Sequence, residues 1–374
     1  MTVTLCKRCV NPSTRPNVYI DTEGVCGVCR LFEDQEKGLI DWSVRDSEIE
    51  EIREWGKRNT KSAYDCIVTV SGGKDSTRQA FFARDELGMN PLLVSAIYPP
   101  EETSERGPAN LSNLVDHGFD CISVGVNPEK FKYLMQKCFK NYFNLFNASE
   151  MALYSIPIHV AIAEKIPLIF LGENPAHTIG EKHGKLDGDA SQMRKSNTIM
   201  DGNADVFLDE QVSSQDLHFY NYPSNDDVEY AGLRIVYLGY YIRDWSGWNN
   251  GEFSVERGLI TRDDNPENTG DLWGISALDE DFRIVNQLMK FVKFGFGHVT
   301  DQTMERIHAG EMTRDEAIDL VQKYDGKCSN EYIEKLCHYL KIKPDDFFRK
   351  LEANRNMDIW EKGVNDQWKL KVKY

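Results

Sequence analysis

The spacing of apolar residues predicts an alternation of strands and helices through the middle of the chain. Short apolar runs predict buried strands at residues 66–70, 91–97, 121–124 and 168–171. Helical spacing predicts helices at residues 77–87, 110–117, 131–146 and 149–164. This alternation is typical of an α/β fold with a parallel sheet covered by helices, in which ligands bind at the carboxyl ends of the strands.

The flanking segments follow other patterns. Residues 173–229 are polar and rich in Gly, Asn, Asp and Ser, and so long a connection is typical of a lid or substrate loop. Beyond the aromatic segment 230–248 the chain returns to helical periodicity, with Pro344 placed to open a final helix. The predicted organisation is a small module at 1–40, a linking helix at 41–62, a central domain at 63–250 and a mainly helical region at 251–374.

Composition indicates a globular, cytoplasmic protein. The 374 residues contain no apolar stretch of the roughly 18 residues that a bilayer-spanning helix needs, and the start of the chain is not typical of a signal peptide. Lys and Arg number 44 against 60 Asp and Glu, and the resulting net charge of −16 repels phosphates. We therefore expect neither nucleic acid nor a membrane as a partner.

Two close cysteine pairs lie near the start of the chain, Cys6 with Cys9 and Cys26 with Cys29. Their spacing is typical of a structural zinc site with four thiolate ligands and no open coordination position. Redox pairs are the alternative, but nothing around them is typical of a thioredoxin-like unit. The five other cysteines are scattered, which favours a reducing compartment and, for Cys66, Cys121 and Cys138, a place in the core.

A glycine loop follows the first predicted strand of the sheet and precedes a predicted helix. It consists of Ser71, Gly72, Gly73, Lys74, Asp75 and Ser76. Close backbone N–H groups at the start of a helix suit a phosphate group; Lys74 adds positive charge and Asp75 is a candidate Mg²⁺ ligand. The spacing differs from the common Gly-x4-Gly-Lys-Ser/Thr loop, and a glycine turn without a ligand is the alternative.

These six residues resemble the SGGxDS signature of the PP-loop ATP pyrophosphatases. The resemblance implies a Rossmann-like domain of the adenine nucleotide alpha hydrolase type that binds ATP and Mg²⁺, retains pyrophosphate in the loop and transfers AMP to a substrate oxygen. It makes Lys74 and Asp75 candidate catalytic residues. It also implies that adenine packs against the end of the second strand, at Ser95, Ala96 and Ile97, although an ordinary core strand is equally compatible with these residues.

Further motifs narrow the resemblance. They are Cys-Lys-Arg-Cys-Val-Asn-Pro-Ser-Thr-Arg-Pro at 6–16, the cysteine pair at 26–29, Gly-Glu-Asn-Pro at 172–175, Lys-Phe-Gly-Phe-Gly at 293–297 and Arg-Asp-Glu-Ala-Ile at 314–318. Over nearly the whole chain these resemble the N-acetyl sugar amidotransferases. That resemblance implies conversion of the acetamido group of an N-acetyl sugar, expected to be nucleotide-linked, into an acetamidino group with ATP and ammonia. The implied pathway is bacterial lipopolysaccharide O-antigen or flagellar glycan biosynthesis.

Several other residues are candidates for the site. Gly172 is assigned to the ATP site, and Glu173 and Asn174 are candidates for holding Mg²⁺, ATP or the acetamido group, with helix capping as the alternative. His177 and His183 are candidate acids or bases, although lone loop histidines are more often surface residues. The remaining candidates are Tyr240, Tyr241, Asp244, Trp245 and Trp248 for stacking on a sugar or uridine ring, with an aromatic core segment as the alternative, and Lys293 for phosphate, with a helix ended by Gly295 as the alternative.

The source of ammonia is predicted to be another protein. None of the cysteines lies in a Gly-x-Cys-x-Gly elbow of the kind that glutaminases use. The family resemblance implies a glutaminase subunit and a cyclase-like subunit similar to those of imidazole glycerol phosphate synthase.

Two other functions compete with this prediction. A PP-loop tRNA thiolation enzyme is the first, but the acidic balance and the lack of a further Cys-x-x-Cys pair near the sheet argue against it. A scaffold that senses ATP without chemistry is the second, and the retention of Lys74, Asp75 and Ser76 together argues against that role.

Overall fold

The N-terminal segment contains a short strand, β1 (Val3–Thr4), and two helices, α1 (Gly27–Glu36) and α2 (Trp42–Asn59). The structure is a computed structural model that describes residues 2–180, 185–195, 199–363 and 365–373. The predicted linking helix is present as α2, whose first turn is capped by the Asp41 carboxylate accepting a hydrogen bond from the Ser43 N–H.

A five-stranded sheet with all neighbouring strands parallel forms the centre of the molecule, as predicted. Its strands are β2 (Cys66–Thr69), β3 (Pro91–Ile97), β4 (Asp120–Gly125), β5 (Leu168–Leu171) and β6 (Arg234–Tyr237). Their order across the sheet is β4-β3-β2-β5-β6. The sequence predicted four of these strands; β6 lies within the aromatic segment, where no strand was expected.

Helices cover both faces of the sheet. They are α3 (Lys74–Phe81), α4 (Arg106–Asp116), α5 (Pro128–Tyr142) and α6 (Asn147–Glu164). Ile67 and Ile169 point to the face that packs against α5 and α6, whereas the adjacent Val68 and Phe170 point to the face covered by α2 and α3. Strand residues alternate between faces, so the short apolar runs bury side chains on both sides.

Several predicted helix boundaries are wrong by a few residues, including the first residue of α4, which is Arg106 rather than residue 110, and one of these errors matters for the site. Helix α3 begins at Lys74 rather than at residue 77, because the extended backbone at Gly73 ends there and the next residues close the first turn. A π-helical turn, Phe82–Glu86, continues it. Helix α5 ends at Tyr142 rather than at residue 146, because Phe143 adopts a left-handed backbone conformation with φ of 47°.

The long segment after β5 is partly built into the core. It contains α7 (Pro175–Thr178), three short 3-10 turns and α8 (Asn225–Tyr230). Its buried side chains, including Phe207, Leu217 and Tyr220, join the core beside α6. His183 lies outside the described residues.

The rest of the chain is mainly helical, as predicted. Its helices are α9 (Gly247–Val255), α10 (Pro266–Thr269), α11 (Phe282–Phe294), α12 (His298–His308), α13 (Arg314–Tyr324), α14 (Asn330–Leu340) and α15 (Pro344–Ala353). Pro344 opens α15, as predicted.

The chain then forms a hairpin of β7 (Trp360–Lys362) and β8 (Trp368–Leu370), followed by β9 (Val372–Lys373), which pairs in parallel with β1. Among the described residues, no helix combines the length and the apolar character needed to cross a membrane.

Candidate active site

The centre of the sheet contains a topological switch point. Strands β2 and β5 are neighbours, yet the chain leaves β2 towards β3 on one side and reaches β5 and β6 on the other. Crevices at such points are where open α/β sheets bind ligands. The loop 71–76 follows β2 and residues 172–174 follow β5, so the fold brings these two predicted segments together.

A cavity of about 740 Å³ lies at this edge, a volume typical of ligand pockets. Its walls come from several parts of the molecule, of which three supply most of the charged side chains discussed below. The sheet supplies Ser71, Gly73, Lys74, Asp75, Ser76, Glu173 and Asn174; the N-terminal module supplies Arg15, Leu31, Phe32 and Gln35; and α11 and α12 supply Arg283, Gln287, Lys290, His298, Asp301, Glu305 and His308.

The glycine loop is shaped for an anion. Gly72 has φ of +78°, and a side-chain carbon there would lie 2.9 Å from the backbone nitrogen of Leu111, so only glycine fits. Because α3 begins at Lys74, the N–H groups of Lys74, Asp75 and Ser76 belong to the first helical turn and have no intrahelical acceptor. The positive end of the helix dipole therefore faces the cavity edge that these residues line.

Helix α9 fixes the charged pair in this loop. Lys74 Nζ lies 2.5 Å from Asp75 Oδ2, and Asn250 Nδ2 donates to Asp75 Oδ1 over 2.8 Å. Ser254 Oγ donates to the Lys74 carbonyl over 2.9 Å. Burial opposes the charge on Lys74, but the carboxylates of Asp75, Glu305 and Glu173 raise the pKa of the lysine overall. Lys74 therefore stays protonated at neutral pH.

Two further carboxylates face this pair. Burial raises the pKa of Glu173, and the negative charge of Asp75 adds to the effect. Burial likewise raises the pKa of Glu305 to about 7, with Lys74 opposing the rise and Asp75 and Glu173 adding to it. A side-chain carbon on Gly247 would collide with the Glu305 carboxylate, so this glycine leaves room for it.

Sequence reasoning missed Glu305, Asn250 and Ser254. The one local signal for Glu305 is that Asp301, Glu305 and His308 recur at helical spacing and give α12 a polar face. All three of these residues line the cavity.

Asn174 and His177 have clear local roles. Asn174 Oδ1 accepts from the Ala176 N–H, and Nδ2 donates to the carbonyls of Lys185 and Asp187, each over 2.8 Å. Its amide caps α7 and shapes the turn after Glu173, which fits the helix-capping alternative. Burial lowers the pKa of His177 to about 4, and its neutral ring packs at the cavity wall against Tyr240.

The predicted adenine contacts lie elsewhere on the sheet edge. Ser95 is buried and Ile97 is 43% exposed at the end of β3, and neither these two residues nor Ala96 lines the cavity. Their contact with adenine stays a prediction. The Gly172 carbonyl accepts from the Gly239 N–H over 3.0 Å, which ties the ends of β5 and β6 together.

The aromatic candidates divide into two groups. Tyr240, Asp244 and Trp245 line the cavity, whereas Tyr241 is buried in the core beneath the sheet. Trp248 packs under the Arg306 guanidinium, 4.1 Å from its ring centroid.

Lys293 donates to the Phe143 carbonyl over 2.9 Å at the end of α5, and Gly295 ends α11 in a left-handed conformation. The structure therefore favours the helix-ending role for this motif over a phosphate contact.

The four N-terminal cysteines form a candidate metal centre. Their sulfur atoms all lie within 4.8 Å of one another, with 3.8 Å between Cys6 and Cys29 and 3.6 Å between Cys9 and Cys26. A tetrahedral zinc ion with Zn–S bonds of about 2.3 Å has sulfur atoms about 3.8 Å apart. The Arg8 N–H donates to the Cys6 sulfur. These thiolates fit a zinc ion.

The N-terminal module at residues 1–40, here called the zinc module because its four cysteines could hold a zinc ion, contacts the C-terminal helices through the motifs that carried the family resemblance. Arg15, from the motif at 6–16, forms an ion pair with Asp301 on α12. Arg314, from the motif at 314–318, donates through Nε to the carbonyls of Cys6 and Cys9 over 3.0 and 3.1 Å. His308 Nε2 lies 3.3 Å from the Cys29 sulfur. Motifs far apart in sequence therefore meet at one junction.

Comparison with known families identifies the C-terminal part of the chain. Residues 277–373 match the C-terminal domain of the LPS biosynthesis protein WbpG-like family. The chain carries a WbpG-like C-terminal domain. The match supports WbpG-like identity and suggests a role in lipopolysaccharide biosynthesis. No curated protein matches the chain.

The WbpG-like domain contributes directly to the cavity. It supplies α11 and α12, and with them Arg283, Lys290, His298, Asp301 and Glu305. Burial lowers the pKa of Lys290 and of His298, whereas the pKa of Asp301 is lowered in spite of burial by the charges of Arg15 and Lys290. The WbpG-like domain therefore builds part of the wall of the cavity that the glycine loop also lines.

Proposed function

We propose that the chain is an ATP-dependent amidotransferase of lipopolysaccharide O-antigen or flagellar glycan biosynthesis. It would convert the acetamido group of an N-acetyl sugar, expected to be nucleotide-linked, into an acetamidino group. One observation carries the proposal: the glycine loop at the sheet switch point, whose geometry suits a phosphate group, and the WbpG-like domain line the same cavity.

The carbonyl carbon of an acetamido group is a poor electrophile and must be activated before ammonia can add to it. The amide oxygen attacks the α-phosphorus of ATP, pyrophosphate leaves, and ammonia then adds to the activated carbon and displaces AMP. In this proposal the first N–H groups of α3 and the protonated Lys74 hold the pyrophosphate that leaves. Binding it as it separates stabilises the transition state of the first step.

The acidic residues suit a Mg²⁺ ion that arrives with the nucleotide. Within the described residues, the carboxylates near the loop do not by themselves form a group with three ligand atoms within 4.8 Å. Mg²⁺ commonly takes one or two protein carboxylates and completes its shell with phosphate oxygens and water. We assign those carboxylates to Asp75 and Glu173, and the ion would neutralise charge on the phosphates.

Ammonia is proposed to come from the glutaminase and cyclase-like partners implied by the family resemblance. All nine cysteines are described, and none of them lines the cavity. No thiol is therefore at hand to attack glutamine or to carry sulfur, which disfavours the tRNA thiolation alternative.

Mass spectrometry of a panel of UDP-linked N-acetyl sugars tests the proposal. Each sugar is incubated with the protein, ATP, Mg²⁺ and concentrated ammonium at raised pH, and AMP and pyrophosphate are followed in parallel. We expect one sugar to gain NH in place of oxygen with stoichiometric AMP. AMP release only with tRNA and a sulfur donor would favour thiolation, and no AMP release with any acceptor would favour a non-catalytic scaffold.

A further inference from the structure

The Glu305 carboxylate is held in the cavity without a partner. It projects from α12 towards Lys74, Asp75 and Glu173, whose charges all act on it. Within the part of the chain that the structure describes, it takes part in no ion pair and accepts no hydrogen bond. The carboxylate is partly exposed at the cavity wall and is not taken up by a partner there, so it is free to act on a bound molecule.

Neighbouring carboxylates differ from Glu305 in this respect. Asp75 is bound by Lys74 and Asn250, and Asp301 is bound by Arg15 and Lys290. These contacts occupy the oxygens of both carboxylates, and the charges of Arg15 and Lys290 lower the pKa of Asp301. Glu305 is the carboxylate on the α12 wall whose oxygens stay available for a proton.

Glu173 is also unpaired among the described residues, but its surroundings suggest a different task. It follows β5 directly, and after burial its strongest electrostatic influence is the repulsion from Asp75. A cation bound between the carboxylates of Asp75 and Glu173 would offset their mutual repulsion, which agrees with the proposed Mg²⁺ assignment. For Glu305 the strongest electrostatic influence is attraction to Lys74.

We propose that Glu305 is the general base that removes a proton from the nitrogen nucleophile when it adds to the activated amide carbon. This inference rests on the proposed amidotransferase function. Ammonia forms the C–N bond with its lone pair, which leaves a positive nitrogen on the adduct. Glu305 takes one of its protons, the freed electron pair forms the C=N bond, and the C–O bond breaks so that AMP leaves with the former amide oxygen. A base with a pKa near 7 is well matched to this task at neutral pH.

The position of this carboxylate is set by its own helix. Asp301 lies four residues before Glu305 and His308 three residues after it, so the three side chains share one face of α12. Asp301 is fixed by Arg15 and His308 lies against Cys29, both in the zinc module. Contacts with the zinc module therefore support the helix that carries Glu305.

The test separates the two half-reactions in Glu305→Gln, which keeps the shape of the side chain. Sugar-dependent exchange of pyrophosphate into ATP without ammonia reports activation, and single-turnover amidine formation with ammonium reports nitrogen addition. We expect exchange within about threefold of wild type. At a fixed concentration of free ammonia, we expect amidine formation to be lower by about 10²- to 10⁴-fold and to lose the acid limb of its pH profile. Hydroxylamine, whose adduct loses a proton more readily, should restore part of the rate.

Two further variants make the result specific. Glu334→Gln changes an exposed glutamate on α14 of the same domain and should leave both half-reactions unchanged. Glu305→Asp keeps a carboxylate and should retain the acid limb of the pH profile at a reduced rate.

Other outcomes would overturn the inference. An equal loss of exchange and amidine formation would assign Glu305 to nucleotide binding, and an unchanged pH profile of amidine formation would exclude a proton-transfer role. If the wild-type protein performs neither half-reaction with any N-acetyl sugar, the proposed function itself fails and the role of Glu305 falls with it.

Discussion

The zinc module and the cavity both contain clusters of ionisable side chains. The two clusters differ in whether these side chains have partners within the protein. The four thiols at the zinc site are buried, close to one another and supported by backbone N–H groups. In the cavity, Glu173 and Glu305 have no hydrogen-bond or ion-pair partner among the described residues, and burial raises the pKa of each. A closed set of ligands stabilises a fold, whereas unpaired groups keep reactivity at the expense of stability.

The largest loss of stability should come from removing one cysteine of the four-cysteine site. Cys6→Ser removes one thiolate, and because structural zinc sites contribute folding free energy directly, we expect loss of zinc and about 5 kcal/mol or more of stability. Zinc analysis by mass spectrometry and urea unfolding measure both quantities. Cys328→Ser, outside the module, should keep its zinc. A stable Cys6→Ser protein with full zinc content would contradict a structural role for the site.

The next effect concerns chemistry rather than folding. Asp75→Asn keeps the size of the side chain but removes the charge proposed to bind Mg²⁺, so pyrophosphate release should fall by about 100- to 1,000-fold, or about 3 to 4 kcal/mol. Zinc content and fold should stay unchanged, which separates the two clusters. Asp85→Asn, at an exposed position, is the matched control. Pyrophosphate release near the wild-type rate would remove Asp75 from the mechanism.

Arg314→Ala tests the junction between the two regions. The substitution leaves the carbonyls of Cys6 and Cys9 without their side-chain donor, which should cost about 2 to 3 kcal/mol because the donor is charged. Arg314→Lys should recover only part of this, since lysine lacks the planar guanidinium. Urea unfolding measures stability, and the rate at which a chelator extracts zinc should rise in parallel. Unchanged extraction would mean that the junction does not support the zinc module.

The smallest predicted effect is a gain of stability in Glu305→Gln. The folded protein holds the pKa of Glu305 near 7, above its ordinary value of 4.5, so it binds more protons than the unfolded chain between these values and its stability falls as pH rises through them. Glu305→Gln should therefore be more stable than wild type by roughly 1 to 2 kcal/mol at about pH 8, a figure reduced because the carboxylate faces the cavity. The difference should vanish towards pH 4.5. Unfolding at several pH values tests this, and a difference that does not change with pH would contradict it.

The sequence was most informative where a property is local. Apolar runs marked β2 to β5, cysteine spacing marked the candidate zinc site, and the order strand, glycines, helix marked the loop at 71–76. These patterns need only neighbouring residues. The same reasoning missed β6, because the segment around it is aromatic without a clear alternation.

Glu305 could not be found in this way because its significance depends on distant residues. Lys74 and Glu173, which act on its charge, lie in other segments of the chain, and the space for its carboxylate depends on Gly247 in yet another. Within α12 it reads as an ordinary polar residue of an amphipathic helix. Only the packing of α12 over the sheet edge gives it a chemical setting.

The pairing of β1 with β9 has a consequence for how the protein is made. Val3 and its strand partner Val372 lie far apart in the sequence, so the ribosome adds Val3 to the chain long before Val372. Arg15 likewise can form its ion pair with Asp301 only after α12 has been synthesised. During translation the early module must therefore remain incompletely packed while the central sheet forms, because long-range contacts come late. We expect the growing chain to complete its cavity only after α12 has been synthesised, so that an activity requiring both the loop at 71–76 and α12 is absent until then.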